Sequence, residues 1–218
     1  MISKLKIPFW KLITRLRVLK NWQIPAWFKY AKIQFTNMFN TPRCMEEPVR
    51  SMLLFVWEFP PQVTGGVYRP ASWAKYAADA NWTVSVLCSE ASCTPSLAGV
   101  YLERSIPHEV QIHRIADRSE GPHPWPLPRI DGGLRNALAV YEAAQPLMQT
   151  NRPGVLVASG PPFHNFVAAA WLAEQYGWPL VLDYRDEWTA SPFTFVLKDQ
   201  ANLKHEKHCL RRADFTLG

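Results

Sequence analysis

The stretch Val155–Trp188 constrains the fold of this chain more than any other, because its hydrophobic pattern changes from that of a strand to that of a helix and back again. An apolar run of strand length, Val155–Ala158, is followed by a polar turn, a helical segment over residues 163–176 and a second apolar run, Leu180–Tyr184. Continuous apolar runs of this length are typical of parallel strands covered on both faces. Two such strands joined by a helix predict a parallel βαβ unit, in which ligands bind at the carboxyl ends of the strands.

The same alternation of strand and helix patterns continues through most of the chain. It predicts further strands at Ser51–Trp57, Thr83–Cys88, Val110–Ile115 and from Phe215 onward, and further helices at Pro70–Ala80, Leu134–Thr150 and Lys198–Arg212. Residues 89–110 show no regular pattern and are predicted to be irregular. The chain is therefore predicted to be an α/β protein with a Rossmann-like, mostly parallel sheet flanked by helices.

Composition narrows the class of protein. With 218 residues, 48% hydrophobic and 19% charged, the chain can bury a core as one large domain or two small ones. No apolar run reaches the length of about 18 residues that a membrane span needs, and a secretory signal is missing, so we expect a cytoplasmic protein. The scattered cysteines form no CxxC pair and are expected to be reduced thiols: Cys44, Cys88, Cys93 and Cys209.

Residues 1–48 differ from the rest and are predicted to be a basic leader and linker that precede a domain over residues 49–218. Residues 1–50 hold ten of the 24 Lys and Arg residues and two of the 18 Asp and Glu residues, a net charge of +8, which leaves −2 for the remainder. A helical stripe of apolar residues runs from Phe9 to Leu19, and aromatic residues and further lysines follow it. The basicity of the chain therefore belongs to the leader.

The basic and aromatic composition of the leader is compatible with more than one interpretation. A basic amphipathic helix within residues 1–35 suits an anionic membrane surface, on the inner face of the membrane. The alternatives are a helix packed on the domain and a disordered basic leader. Nucleic acid is not an expected partner, because the chain carries no recognised binding motif and the domain is slightly acidic.

One group of candidate site residues precedes the first helix of the domain. Gly65 and Gly66 would let backbone N–H groups approach an anion at the positive end of that helix, and Arg69 would add a guanidinium. A simple turn is the alternative. The spacing is not the GxGxxG of dinucleotide-binding folds, and no acidic residue clearly takes the ribose-binding part.

A second group of candidates lies at the ends of the later strands and is expected to face the same crevice. It comprises Ser159, Gly160, Pro161, His164, Asp183, Arg185, Asp186 and Trp188. A structural alternative exists for its charged members, because ion pairs at strand ends are common without catalytic duty. In that alternative Arg185 pairs with Asp183 or Asp186 to fix the loop, and Trp188 packs beneath it.

Two further features of the sequence are candidate sites. His205 and His208 lie three apart on a helix beside Cys209, but this is not HExxH, so a solvated polar face is the preferred interpretation and no metal is predicted. The proline-rich stretch 121–128 is predicted to be a surface loop. Its His123 and Trp125 would bind a sugar or a lipid if the loop covers a site, and an exposed structural loop is the alternative.

Together the motifs resemble the N-terminal domain of the subfamily-4-like glycosyltransferases over about residues 51–218. They are Phe59-Pro-Pro, Gly65-Gly66 with Arg69, Ala158-Ser-Gly-Pro-Pro-Phe163, Asp183-Tyr-Arg-Asp-Glu-Trp188, and Glu206 with Leu210-Arg-Arg-Ala-Asp214. The resemblance implies one half of a GT-B architecture, in which two Rossmann-like domains face each other across a cleft. In that family the N-terminal half mostly recognises the acceptor, and the C-terminal half holds most of the nucleotide-sugar.

Carried onto this chain, the resemblance puts Gly65 and Gly66 at the donor diphosphate, with Arg69 beside them, and the second group of candidates on the acceptor side of the cleft. Its two aspartates would orient acceptor hydroxyl groups, and Arg185 would bind a carboxylate or phosphate of the acceptor. In many relatives a histidine lies a few residues into the helix after the Pro-Pro turn. Here His164 comes earlier, and Phe166 lies nearer that place.

The implied reaction is hexosyl transfer from a nucleotide-sugar to a glycan or lipid-linked acceptor, as in polysaccharide biosynthesis. Backbone dipoles and basic groups would stabilise the leaving diphosphate, with no cofactor and no tightly bound metal. The family's donor domain would follow Gly218, so the chain is expected to be inactive alone, as a truncated product, a fragment or the partner of a separate donor-domain polypeptide. Two other hypotheses remain: a non-catalytic glycan-binding remnant and an unrelated Rossmann-like nucleotide-binding module.

Overall fold

The computed structural model describes residues 24–39, 50–90, 96–118, 128–150 and 154–218. The predicted amphipathic helix at Phe9–Leu19, most of the proline-rich loop with His123 and Trp125, and the cysteines Cys44 and Cys93 lie outside these ranges. Within the described ranges, no helix combines the length and the apolar character that crossing a membrane requires.

A sheet of six parallel strands, flanked by six helices, forms the part of the chain that the structure describes. The strands are β1 (Ser51–Phe55), β2 (Thr83–Ser89), β3 (Gln111–Ile115), β4 (Val155–Gly160), β5 (Leu180–Tyr184) and β6 (Phe215–Leu217). The helices are α1 (Ile24–Phe39), α2 (Tyr68–Asp79), α3 (Leu97–Arg104), α4 (Leu134–Thr150), α5 (His164–Tyr176) and α6 (Gln200–Arg212). The strand order is β3-β2-β1-β4-β5-β6, and every neighbouring pair is parallel. The predicted α/β, Rossmann-like fold class is confirmed.

The central strand β1 shows why the predicted strands are apolar throughout. Leu53 and Phe55 belong to the core cluster on the side of α1, α4 and α5, whereas Met52 and Leu54 belong to the cluster on the side of α2. Successive side chains of a strand point to opposite faces, so a strand with a core on each face needs an apolar residue at every position.

Helix ends follow local signals. Gly177 ends α5 in the left-handed region, with φ +73°, where glycine pays no steric penalty. Ser96 caps α3 by accepting a hydrogen bond from the backbone N–H of Gly99, and Asp199 caps α6 in the same way. Because α3 lies within residues 89–110, the prediction that this stretch is irregular was wrong for Leu97–Arg104.

Helix α1, from the predicted leader, packs on the domain. Ala26 and Ile33 are buried in the core cluster, and the Tyr30 ring meets the Trp171 ring of α5 edge to face, with centroids 5.7 Å apart. The Asn37 side-chain amide donates to the Trp171 carbonyl at 3.1 Å and to the Glu174 carboxylate at 3.0 Å. Of the alternatives stated for the leader, packing on the domain is the one that α1 shows.

Candidate functional site

The candidate residues meet where the strand order changes direction. β1 lies between β2, which follows it in the chain, and β4, so the connections after β1 and β4 leave the sheet towards opposite sides. In open α/β sheets a switch point of this kind is where a ligand crevice is expected, at the carboxyl ends of the strands. Residues 56–67, which follow β1, carry the Gly65-Gly66 pair, and the turn after β4 contains cis peptide bonds at Gly160–Pro161 and Pro161–Pro162. Both predicted groups are therefore brought to one edge of the sheet.

Asp183 links the two groups from the end of β5. Its side chain is fully buried, and its Oδ1 accepts a hydrogen bond from Arg69 Nη1 at 2.7 Å. Its Oδ2 accepts from Ser159 Oγ of β4, also at 2.7 Å. The Arg69 side chain is 49% exposed, so the guanidinium joins a buried carboxylate to the open crevice. The ion pair expected at this strand end exists, but its cation is Arg69 and not Arg185.

Arg185 turns towards the loop that follows β1. Its Nη2 donates to the Pro161 carbonyl, and its Nη1 lies 4.0 Å from Glu58 Oε2. Glu58 in turn accepts from Thr64 Oγ1 at 2.7 Å. The Arg185 side chain is 16% exposed, and its Nε has no hydrogen-bond partner among the described residues. Burial lowers the pKa of Arg185 from its ordinary value, and the charge of Glu58 opposes that shift.

Gly66 makes this arrangement possible. A Cβ atom added at Gly66 would lie within 3.0 Å of Arg185 Nη1 and of Glu58 Oε2, closer than side chains tolerate. The guanidinium therefore rests against bare backbone. Gly65 differs, because a Cβ atom added there meets nothing within 4 Å. Of the glycine pair, Gly66 is the member that the packing of the site requires.

His164 begins α5 and is fully buried beside the crevice. Its ring meets the Trp57 ring edge to face, with centroids 4.5 Å apart, and a Cβ atom added at Gly132 would lie within 3.0 Å of it. Burial lowers the pKa of His164 to about 3, against the opposing charge of Asp117, so the ring is neutral near pH 7. Neither ring nitrogen has a hydrogen-bond partner among the described residues.

The last two candidates lie at different depths. Trp188 is fully buried and stacks on Phe163, with centroids 4.7 Å apart and an interplanar angle of 5°. Its ring is therefore packed in the interior against Phe163, the residue that follows the Pro-Pro turn. Asp186 is exposed on the loop that follows β5. Asp186 is therefore the predicted carboxylate of this loop that is open to a ligand, whereas Asp183 is held in the interior.

A buried aspartate that the sequence analysis did not single out ties the site together. Asp131 Oδ2 accepts from the Phe163 backbone N–H at 3.1 Å, and its Oδ1 accepts from the Leu197 N–H at 3.1 Å. Its own N–H donates to Asn202 Oδ1 of α6 at 2.8 Å. Asp131 precedes two glycines with φ of +75° and +93° and a helix, a signal of the same kind as Gly65-Gly66. That signal was available in the sequence.

The loop that follows β5 also carries an exposed aromatic pair missed from the sequence. Phe193 and Phe195 stack with centroids 5.2 Å apart and are 46% and 70% exposed. Large apolar side chains grouped on a loop at the ligand edge of a sheet suit contact with an apolar part of a ligand.

The two histidines of α6 lie in different surroundings. His208 Nε2 lies 3.1 Å from Glu174 Oε1 of α5, and burial lowers the pKa of His205 to about 4. Among the residues that the structure describes, no group of three or more His, Cys, Asp and Glu side chains is placed to hold a metal ion.

Glu206, from the last of the motifs quoted for the resemblance, connects α6 to the loop after β5. Its carboxylate accepts hydrogen bonds from the backbone N–H and the hydroxyl group of Thr189.

As a whole, the site offers the guanidinium groups of Arg69 and Arg185, exposed backbone at the glycine loop and the exposed carboxylate of Asp186 at one sheet edge. Guanidinium groups and free N–H groups recognise phosphate and carboxylate oxygens. Comparison of the chain with models of protein families found no match, and comparison with curated proteins found none either.

Proposed function

We propose that residues 49–218 are the N-terminal, acceptor-side half of a glycosyltransferase of GT-B architecture. The reaction is transfer of a hexosyl group from a nucleotide-sugar to a glycan or lipid-linked acceptor. The observation that carries the proposal is the contact of Arg185 with Gly66 at the switch point, because it puts a cation that directly follows β5 against the glycine loop that follows β1. This is where the motif resemblance expects the donor diphosphate to approach.

Charge and burial support an anionic ligand at this contact. Arg185 is largely buried, and its nearest carboxylate, Glu58, lies 4.0 Å away, beyond hydrogen-bond distance. A phosphate oxygen that replaced Glu58 would pair with the guanidinium more closely than the Glu58 carboxylate does. Arg69, half exposed and anchored on Asp183, is the second cation that faces such a ligand.

The acceptor contacts are proposed for the loop that follows β5. Asp186 is exposed there and suits a hydrogen bond from an acceptor hydroxyl group. Phe193 and Phe195 offer an apolar face for a sugar ring or a lipid chain. Asp183, Ser159 and Trp188 then act as positioning residues, since they hold Arg69 and the Pro-Pro turn without facing the crevice.

The test compares the two glycines in a transfer assay with the product of the full reading frame and a panel of nucleotide-sugars. Gly66→Ala displaces the Arg185 guanidinium and is expected to lower kcat/KM by about tenfold or more. Gly65→Ala has open space around the new methyl group and is expected to stay within about threefold of the wild type. Equal activities of the two variants would contradict the role of the loop, and transfer from none of the nucleotide-sugars would contradict the function.

A nucleotide-binding module without transferase activity is the second candidate, and the strand order favours it. The order β3-β2-β1-β4-β5-β6 is that of dinucleotide-binding folds, and Glu90 directly follows β2. Against it, residues 56–67 replace the tight GxGxxG turn between β1 and α2. Calorimetric titration with NAD and ATP separates the two, because micromolar binding by residues 1–218 would support the module.

A further inference from the structure

Helix α1 is apolar on two opposite faces. Ala26, Tyr30, Ile33 and Asn37 follow helical spacing and meet α4 and α5. The opposite face also follows helical spacing, and it is exposed: Trp27 (47%), Phe28 (62%), Phe35 (67%) and Met38 (78%). Packing on the domain explains the buried apolar stripe of α1. It does not explain a second apolar stripe that faces solvent.

The net charge of the N-terminal sequence indicates what covers this exposed stripe. Residues 1–39 contain eight Lys and Arg residues and no Asp or Glu. Lys29 pairs with Glu142 of α4, whereas Lys32 is exposed beside the stripe. Aromatic side chains surrounded by cations are typical of helices that lie in the interface of an anionic membrane.

From this combination we infer that the outward face of α1 docks on an anionic lipid surface. Trp27, Phe28, Phe35 and Met38 enter the headgroup region, and Lys32 meets the lipid phosphates. The inner face of α1 keeps its contacts with the domain, so the whole domain is held at the membrane by a packed helix.

The geometry leaves the candidate site accessible. α1 meets α5 at Trp171 and Glu174, whereas the site lies at the start of α5, at His164. These positions are about 10–15 Å apart along the helix axis. Lipid on the outer face of α1 therefore does not cover the crevice.

The test is co-sedimentation of the full chain with vesicles of phosphatidylcholine and with vesicles of phosphatidylcholine mixed with phosphatidylglycerol. The wild type is expected to bind the anionic vesicles, and added salt is expected to weaken the binding. The double variant Phe28→Ser, Phe35→Ser is expected to bind them about tenfold or more weakly. The control is Leu97→Ser, Tyr101→Ser on α3, which removes side chains that are 80% and 70% exposed and is expected to bind as the wild type does.

Circular dichroism checks that each variant is folded, and the single variant Met38→Gln, at a 78% exposed position, replaces the double variant if that one does not fold. Unchanged vesicle binding by the α1 variants would overturn the inference, and so would failure of the wild type to bind anionic vesicles. A change in self-association instead of vesicle binding, measured by analytical ultracentrifugation, would assign the stripe to a protein partner and would overturn it as well.

Discussion

At the scale of single residues, burial separates two aspartates that the sequence treats alike. Asp183 is fully buried between Arg69 and Ser159, whereas Asp186 is exposed three residues later. The buried carboxylate holds its neighbours in place, and the exposed one is free to meet a ligand. We therefore expect an Asp→Asn substitution to change the free energy of unfolding at Asp183 and not at Asp186.

Asp183→Asn is expected to lower the free energy of unfolding by about 1–2 kcal/mol. The substitution removes the charge that pairs with Arg69 and leaves one acceptor oxygen for two donors, while the half-exposed Arg69 recovers part of the loss in water. Asp186→Asn is the matched control and is expected to stay within about 0.5 kcal/mol. Urea unfolding of both variants checks this, and equal effects at the two positions would contradict it.

His164 predicts a pH dependence of stability. The unfolded chain binds a proton at this residue below the ordinary histidine pKa of about 6.5. The folded chain does not bind it until about pH 3. As pH falls through this window, the unfolded state binds more protons than the folded state, so the free energy of unfolding decreases by up to about 1.4 kcal/mol per pH unit.

His164→Asn removes this contribution, so the variant is expected to lose about 2 kcal/mol less than the wild type between about pH 7 and about pH 5. The measurement is urea unfolding at both pH values. Burial also lowers the pKa values of His113 and His205, but both are present in the two proteins and cancel in the comparison. The same loss in wild type and variant would show that His164 is not the group responsible.

At the scale of elements, the turn at Asp131 connects segments that the sequence separates. One carboxylate holds the start of α5, through Phe163, and the loop after β5, through Leu197. Its backbone holds α6 through Asn202. A buried acceptor shared by two backbone donors is costly to remove, because both N–H groups then lose their partner.

Asp131→Ala is therefore expected to destabilise the fold by about 3 kcal/mol or more. Asp131→Asn keeps one acceptor oxygen and is expected to lose clearly less. Thermal unfolding of the pair gives the comparison. A loss of less than about 1 kcal/mol for the alanine variant would mean that other groups or water take over the two donors.

The elements that could be predicted from the sequence are those whose side chains are buried in the core, because burial requires a regular pattern of apolar residues. Strands β1 and β5 are buried on both faces, and α5 is ended by a left-handed glycine, so each leaves a clear pattern. Helix α3 leaves none. Its Leu97 and Tyr101 are exposed, and its buried residue is Gly99, against which the Pro61 carbonyl packs. A helix held by a close backbone contact has no hydrophobic stripe to detect.

At the scale of the whole molecule, the sequence predicts the edge at which the site forms but not its pairings. Charged residues at strand ends and the carboxyl-edge rule bring both candidate groups to one crevice. Which cation meets which carboxylate depends on loop conformation and burial, since Arg69 and Asp183 are 114 residues apart. One of the two interpretations of the sequence paired Arg185 with Asp183 or Asp186. In the structure its Nη2 instead donates to the Pro161 carbonyl, and its Nη1 lies 4.0 Å from Glu58 Oε2.

The central position of β1 has a consequence for the order in which the chain folds. Its pairing with β2 closes a short βαβ segment, whereas Met52 pairs with Val155 of β4, 103 residues later. Closing a segment of that length costs more chain entropy and slows assembly. The half built from β1, β2 and β3 can thus form before the half built from β4, β5 and β6. Because the crevice is made from the ends of both β1 and β4, it is complete only once this 103-residue segment has closed.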